Sequence, residues 1–170
     1  MKPNEQIRQS AEQGDMLAQY NLGYCYANGN GVEKNHAEAA QWFRKAAEQG
    51  HDKAQCVLGF YYATGDGVTK DLDKAIKWYR KSAEQGNAKA QCNLGICYFN
   101  GDGVAKDHAE AVKWYRSAAE LGDAKAQFNL GACYATGDGV EKDLAETVKW
   151  YEKAAEHGYE KAKAALEKLK

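Results

Sequence analysis

Apolar residues recur along this chain at intervals of three and four. Between Met16 and Asn28, the positions Ala18, Leu22, Cys25 and Tyr26 stand at i, i+4, i+7 and i+8. That spacing lays them along one stripe of a helix and cannot line one face of a strand. The stripe returns as Ala54, Leu58, Tyr61 and Tyr62, then as Ala90, Leu94, Cys97 and Tyr98, then as Ala126, Leu130, Cys133 and Tyr134. A second helix is predicted from about His36 to Gln49, with Ala39, Phe43, Ala46 and Ala47 facing inward. Its later counterparts hold Ala75 and Tyr79, Ala111 and Tyr115, and Thr147 and Tyr151.

The helix pair is one unit of a repeat. Trp42, Trp78, Trp114 and Trp150 are each 36 residues apart, as are Gly14, Gly50, Gly86, Gly122 and Gly158. The pair Leu22-Gly23 recurs in the same register as Leu58-Gly59, Leu94-Gly95 and Leu130-Gly131. So does a loop core, Gly29-x-Gly31-Val32, Gly65-x-Gly67-Val68, Gly101-x-Gly103-Val104 and Gly137-x-Gly139-Val140. Such a period is the signature of a solenoid, in which each unit buries its faces on its neighbours.

Helix punctuation agrees with this division. Asn35, Asp71, Asp107 and Asp143 stand where an N-cap belongs. Glu38, Glu110 and Glu146 follow three residues later, as the reciprocal half of a capping box. Gly23, Gly59, Gly95 and Gly131 fall inside helices, at roughly 1 kcal/mol each against alanine, which predicts close helix–helix approach there. At the ends, residues 5–13 match a second helix with Gln6 in place of tryptophan, and residues 159–170 match a first helix with Glu167 in place of glycine. Lys163, Glu167, Lys168 and Lys170 are expected to solvate that end. The expected organisation is one domain over residues 1–170: a capping helix at 1–14, repeats at 15–50, 51–86, 87–122 and 123–158, and a capping helix at 159–170.

Charge narrows the function. With 23 basic and 24 acidic residues the net charge is -1, which removes the electrostatic case for nucleic acid or an anionic membrane. No run approaches the roughly 18 apolar residues of a membrane span, and Met1 to Gln6 contain no apolar h-region of a secretory signal. Five cysteines, without any C-x-x-C pair, read as reduced and buried thiols.

Units of the form A-x-A-Q-x-x-L-G-x-x-Y-x-x-G-x-G-V-x-K-D…A-x-x-W-Y-x-K-A-A-E-x-G resemble Sel1-like repeats, relatives of the tetratricopeptide repeats. Asn87 to Gly122 fits nearly throughout, including Ala90-Gln91, Leu94-Gly95, Tyr98, Lys106-Asp107 and Trp114-Tyr115. The resemblance covers residues 5–165. It implies an all-α, right-handed α/α superhelical solenoid whose first helices line a concave surface, in a family of adaptors and scaffolds. Secreted members bolt each helix pair with a disulfide. The corresponding positions here hold Ala83 and Gln91, with Cys92 one residue off, which places the chain in the reducing, cytoplasmic branch.

Catalytic chemistry finds no support. Gly65-Asp66-Gly67-Val68 follows a helix and lacks the third glycine of a dinucleotide fingerprint. Asn100-Gly101-Asp102-Gly103 lacks the ligand spacing of a calcium loop. No Ser-x-x-Lys, Gly-x-Ser-x-Gly or His-Glu-x-x-His occurs, so neither an enzyme nor a cofactor or metal is implied. His36, His51, His108 and His157 are expected to be solvated, as is the column Glu48, Glu84, Glu120 and Glu156.

A partner would use positions that vary between units. Tyr20, Cys56, Cys92 and Phe128 form one such column and Tyr24, Phe60, Ile96 and Ala132 the next. Toward the helix ends stand Ala27, Ala63, Phe99 and Ala135, then Asn28, Thr64, Asn100 and Thr136. A polar edge holds Lys53, Lys89 and Lys125 at one position and Asn21, Asn93 and Asn129 at another. Aromatic residues on a concave surface are what an interaction site uses. The expected function is a monomeric, non-catalytic scaffold that binds a protein or peptide through Tyr20, Tyr24, Phe60, Lys89, Asn93, Ile96, Phe99, Asn100, Lys125, Phe128 and Asn129. The rival reading is an engineered, consensus-like repeat without a partner, against which stand the five thiols and irregular choices such as Thr147.

Overall fold

The computed structural model describes residues 3–169, with side chains from Glu5 onward; Met1, Lys2 and Lys170 lie outside it, and with Lys170 one of the charges expected to solvate the end. Its secondary structure is helical throughout: α1 (Pro3–Glu12), α2 (Met16–Asn28), α3 (His36–Glu48), α4 (Asp52–Thr64), α5 (Leu72–Glu84), α6 (Ala88–Asn100), α7 (His108–Glu120), α8 (Ala124–Thr136), α9 (Leu144–Glu156) and α10 (Glu160–Glu167). The helices fall into two compact units, Met1–Gln85 and Gly86–Lys170. In the first, each of α1 to α4 packs on the helix that follows it; in the second, each of α6 to α9 does the same.

The predicted stripes form the cores. Leu22, Leu58, Leu94 and Leu130 are fully buried, and Ala39, Ala54, Ala90, Ala111 and Ala126 beside them expose nothing. The mid-helix glycines lie under the rings of the second helices. A Cβ on Gly23 would come within 2.8 Å of the Phe43 ring, and one on Gly59 within 2.6 Å of Tyr79. The side chain is omitted there because an aromatic ring occupies its space.

Asn35, Asp71, Asp107 and Asp143 each accept a hydrogen bond from the backbone N–H three residues on, as N-caps. The capping box is not completed as expected. The N–H groups of Asn35, Asp107 and Asp143 donate instead to the carbonyls of Tyr26, Tyr98 and Tyr134. With that donor taken, Glu110 and Glu146 turn outward to Lys113 and Lys149, and Glu146 also accepts from the Trp150 indole. Asp15, His51, Asn87 and Asp123 cap the first helices in the same manner.

His157 is exposed as expected, but His36 and His108 are not the solvated residues that the sequence suggested. His36 Nδ1 lies 2.5 Å from an Asp66 carboxylate oxygen and His108 Nδ1 3.4 Å from Asp138, while both Nε2 atoms are buried. The loops after α4 and α8 fold back over the starts of α3 and α7, which brings the aspartates there. Gly67 makes this possible: its φ is +70°, and a Cβ would lie 2.3 Å from the His36 carbonyl oxygen. Gly139 stands in the same relation to His108, at 2.2 Å.

A buried amide ladder joins helices within each unit. Gln19 and Gln55 donate through Nε2 to the carbonyls of Ala11 and Ala47, and their Oε1 atoms accept from Gln49 and Gln85 at 2.7 Å. Gln127 donates to Ala119 and its Oε1 lies 2.9 Å from His157 Nδ1, so that nitrogen carries the proton. In the equivalent position of the next repeat Leu121 stands in place of the glutamine, and the buried Gln91 Oε1 lacks that donor. Arginines add a further link, Arg44 to the Tyr62 hydroxyl at 2.7 Å and Arg116 to Tyr134 at 2.6 Å.

Candidate functional site

The chain of α8 carries Lys125, Phe128, Asn129, Ala132, Cys133 and Thr136 at i, i+3, i+4, i+7, i+8 and i+11, one face of a helix from its first turn to its last. That face is the bed of a trough of about 480 Å³ in the second unit. Ile96, Phe99 and Asn100 from the end of α6 form one wall, and Tyr159 and Lys161 at the start of α10 form the other. Tyr115 of α7 reaches the floor, and Asp138 closes the end nearest Thr136.

The walls are held by ring packing. Phe128 stacks on Tyr151 with centroids 5.0 Å apart and meets Tyr159 at 5.2 Å. Phe99 stacks on His108, 4.4 Å between centroids and 11° between planes. These rings lose few degrees of freedom when a ligand arrives, because packing has already fixed them.

Charge is divided along the trough. Lys125 and Lys161 are exposed at one end and enter no ion pair among the described residues. Asn129, half-buried between them and the rings, makes no side-chain hydrogen bond among the described residues. At the other end Asp138 is engaged by His108 and by the Thr136 hydroxyl at 2.6 Å. Burial, with Asp138 as the second cause, pushes the Cys133 thiol up to about 11, and burial raises the Tyr115 phenol as well. Both floor groups therefore stay protonated and neutral at physiological pH.

Ile96, Phe99, Asn100, Lys125, Phe128 and Asn129, all expected from sequence, are brought together here. Lys89 and Asn93 lie in the second unit but do not line the trough. Tyr24 and Phe60 lie in the first unit, exposed by 53% and 49%. Tyr20 is half-buried, its ring face covered by His51 at a centroid distance of 4.4 Å.

The column of Tyr20, Cys56, Cys92 and Phe128 is corrected by the structure. Cys56 and Cys92 are 8% and 2% exposed, so these positions are packing sites rather than a binding surface. Tyr20 packs against Phe43 and His51 as Phe128 packs against Tyr151 and Tyr159. Each points between its partner helix and the cap of the next first helix. Phe128 also lines the trough. Tyr159 and Lys161 were not expected, although Lys161 continues the 36-residue lysine column of Lys53, Lys89 and Lys125 into the terminal helix.

A family model described as Sel1 repeat matches residues 17–51, 52–87, 88–123 and 124–159. No curated protein matches the chain at a significant level. Among solved structures, a protective antigen of uropathogenic Escherichia coli strains with an SLR fold is 47% identical, with a TM-score of 0.88 over 93% of this chain and 34% of that one. A Sel1 repeat protein from Oxalobacter formigenes is 41% identical, with a TM-score of 0.92 over 96% of this chain and 65% of that one. Helicobacter pylori cysteine rich protein B is 28% identical, with a TM-score of 0.57 over 72% of this chain and 87% of that one. The chain thus spans less than two thirds of the length of the first two. No helix among the described residues is long and apolar enough to cross a membrane. With four matched repeats, helix pairs throughout and this likeness to solved members, the chain belongs to the Sel1 repeat family, an all-α solenoid fold.

Proposed function

We propose that this chain is a non-catalytic adaptor that holds an extended peptide or a protein segment against the faces of its first helices. Sel1 repeat proteins generally serve as protein–protein interaction scaffolds. The observation that carries the reading is the trough along α8, where fixed rings, two unpaired lysines and an unbonded amide share one surface. Aromatic rings in a recess with polar groups at its rim are the composition of an interaction hot spot. Tyr24 and Phe60 offer a second exposed aromatic pair on the first unit. The reading takes residues 1–170 as a single repeat domain, a monomer, working without a cofactor. The five free thiols support a reducing, cytoplasmic setting.

A peptide-library selection on the wild-type chain, an Asn129→Arg variant and a Tyr24→Glu, Phe60→Glu variant tests it. Circular dichroism first establishes that each variant is folded. Peptides retained by the wild type and lost from Asn129→Arg support recognition in the trough; loss from the other variant moves it to the first unit. Equal retention by all three, or enrichment on none, overturns the reading.

A further inference from the structure

Resting on that reading, we infer that the trough along α8 takes an extended peptide segment carrying Asp or Glu two residues away from an apolar side chain. The length comes first. From Lys125 to Thr136 the bed advances eleven positions, about 16 Å at the helical rise. That distance holds about five residues of extended chain at 3.3 Å each.

The order of chemistry along the bed then fixes the register. The lysine end comes first, the rings of Phe128 and Tyr159 with Ile96 follow, and Asp138 stands at the far end, where Phe99 stacks on the His108 that engages it. Phe128 and Ala132 follow Lys125 by three and seven positions, about 5 to 10 Å along the axis. In an extended peptide, residues i and i+2 point to the same side about 7 Å apart. An acidic side chain at the lysine end therefore places the side chain two residues on among the rings. The opposite orientation would set a carboxylate beside Asp138, where like charges repel. A chain-terminal carboxylate fits the spacing less well, because it lies only about one residue's rise from the side chain of its own residue.

Asn129 supplies the remaining contact. Half-buried and without a side-chain hydrogen bond among the described residues, it carries two donors and an acceptor on the bed of the trough. An extended ligand presents a backbone N–H and C=O at each residue, and one amide side chain can satisfy both.

The test uses pools of short peptides, acetylated and amidated so that neither end is charged. One pool fixes Asp two residues from a central Leu or Phe, a second replaces Asp by Asn, and a third replaces the apolar residue by Ser. A fourth keeps the apolar residue and carries a free C-terminal carboxylate as its only acid. Binding is read by titration calorimetry on the full chain and on Lys125→Glu, Lys161→Glu. The Asp pool is expected to bind about three- to tenfold tighter than the Asn pool, and the double variant to abolish that difference. Preference of the double variant for Lys in place of Asp would add support. Equal binding of Asp and Asn pools, with loss on Asn129→Arg, overturns the acidic requirement while leaving the trough as the binding site. Preference for the free carboxylate also overturns it, in favour of a chain end. If no pool binds in a manner sensitive to Asn129→Arg, both this inference and the reading beneath it fall.

Discussion

A Cβ placed on Gly95 would lie 2.7 Å from two ring carbons of Tyr115 and 3.3 Å from the Ala111 carbonyl oxygen. Tyr115 is buried beneath that glycine and also forms the floor of the trough, so the helix–helix approach and the shape of the site are one geometric fact. Gly95→Ala gains about 1 kcal/mol of helix propensity, yet overpacking of this kind costs about 1 to 3 kcal/mol. A net loss of stability is expected in urea unfolding. A simultaneous Tyr115→Leu should recover part of it by vacating the ring's space, and an unchanged midpoint for Gly95→Ala alone would mean that the ring yields freely.

The amide ladder predicts a stabilising substitution. Gln49 and Gln85 each donate at 2.7 Å to a buried glutamine, and Leu121 stands at the same position of the third repeat, 58% exposed. Leu121→Gln should supply a donor to the buried Gln91 Oε1 at little apolar cost, raising stability by about 1 kcal/mol. Gln85→Leu should lower it by a similar amount, since it removes the donor to Gln55. Thermal melts of the two variants, moving in opposite directions from the wild type, are the check.

Acid should weaken the fold through His51. Burial first, with Lys53 acting in the same direction and Asp52 against, holds its pKa below the usual histidine range. Its Nδ1 accepts the Ala54 N–H at 3.2 Å, which only the neutral ring can do. The unfolded chain thus binds a proton that the folded chain resists. His51's contribution is present above roughly pH 6.5 and is lost as pH falls through the folded pKa. His51→Asn, the residue found at the equivalent Asn87, should flatten that part of the pH–stability profile. An identical acid slope in both proteins would assign the loss elsewhere.

The thiols should be slow to react in the folded chain. Burial pushes Cys97 and Cys133 up to about 11, so near pH 8 only about one part in a thousand is thiolate. Alkylation with iodoacetamide, followed by mass spectrometry, should label both far more slowly in buffer than in denaturant. Rapid labelling of native Cys133 would show that the trough floor opens to solvent.

Local chemistry was the legible part of this sequence. Asp71 and Asp107 cap the helices they were expected to cap, and the mid-helix glycines mark close approach because no other residue fits under an aromatic ring. What escaped was whatever depends on a partner outside the helix, whether nine residues away or thirty. His36 looked solvated until the loop carrying Asp66 folded over it, and Glu110 looked like half of a capping box until Tyr98 took the donor. Cys56 and Cys92 varied as a binding surface would, yet they are buried by the helices that pack beside them. In the site, Ile96, Phe99 and Phe128 were visible as variable apolar positions. Tyr159 and Lys161 were hidden because they belong to the terminal helix, which looked like a cap with no further task.

The loop seated on His36 also sets where this chain can be divided. Asp66 and Gly67 complete the first turn of a helix that began thirty residues earlier, and Asp138 and Gly139 do so for His108. The self-sufficient piece is therefore out of phase with the 36-residue period. A fragment cut just after α4 would leave the start of α3 stripped of its cover, while one carried past the loop would keep it. Units added or removed in design, or by duplication in evolution, keep their seams intact only when the loop travels with the helix pair that precedes it.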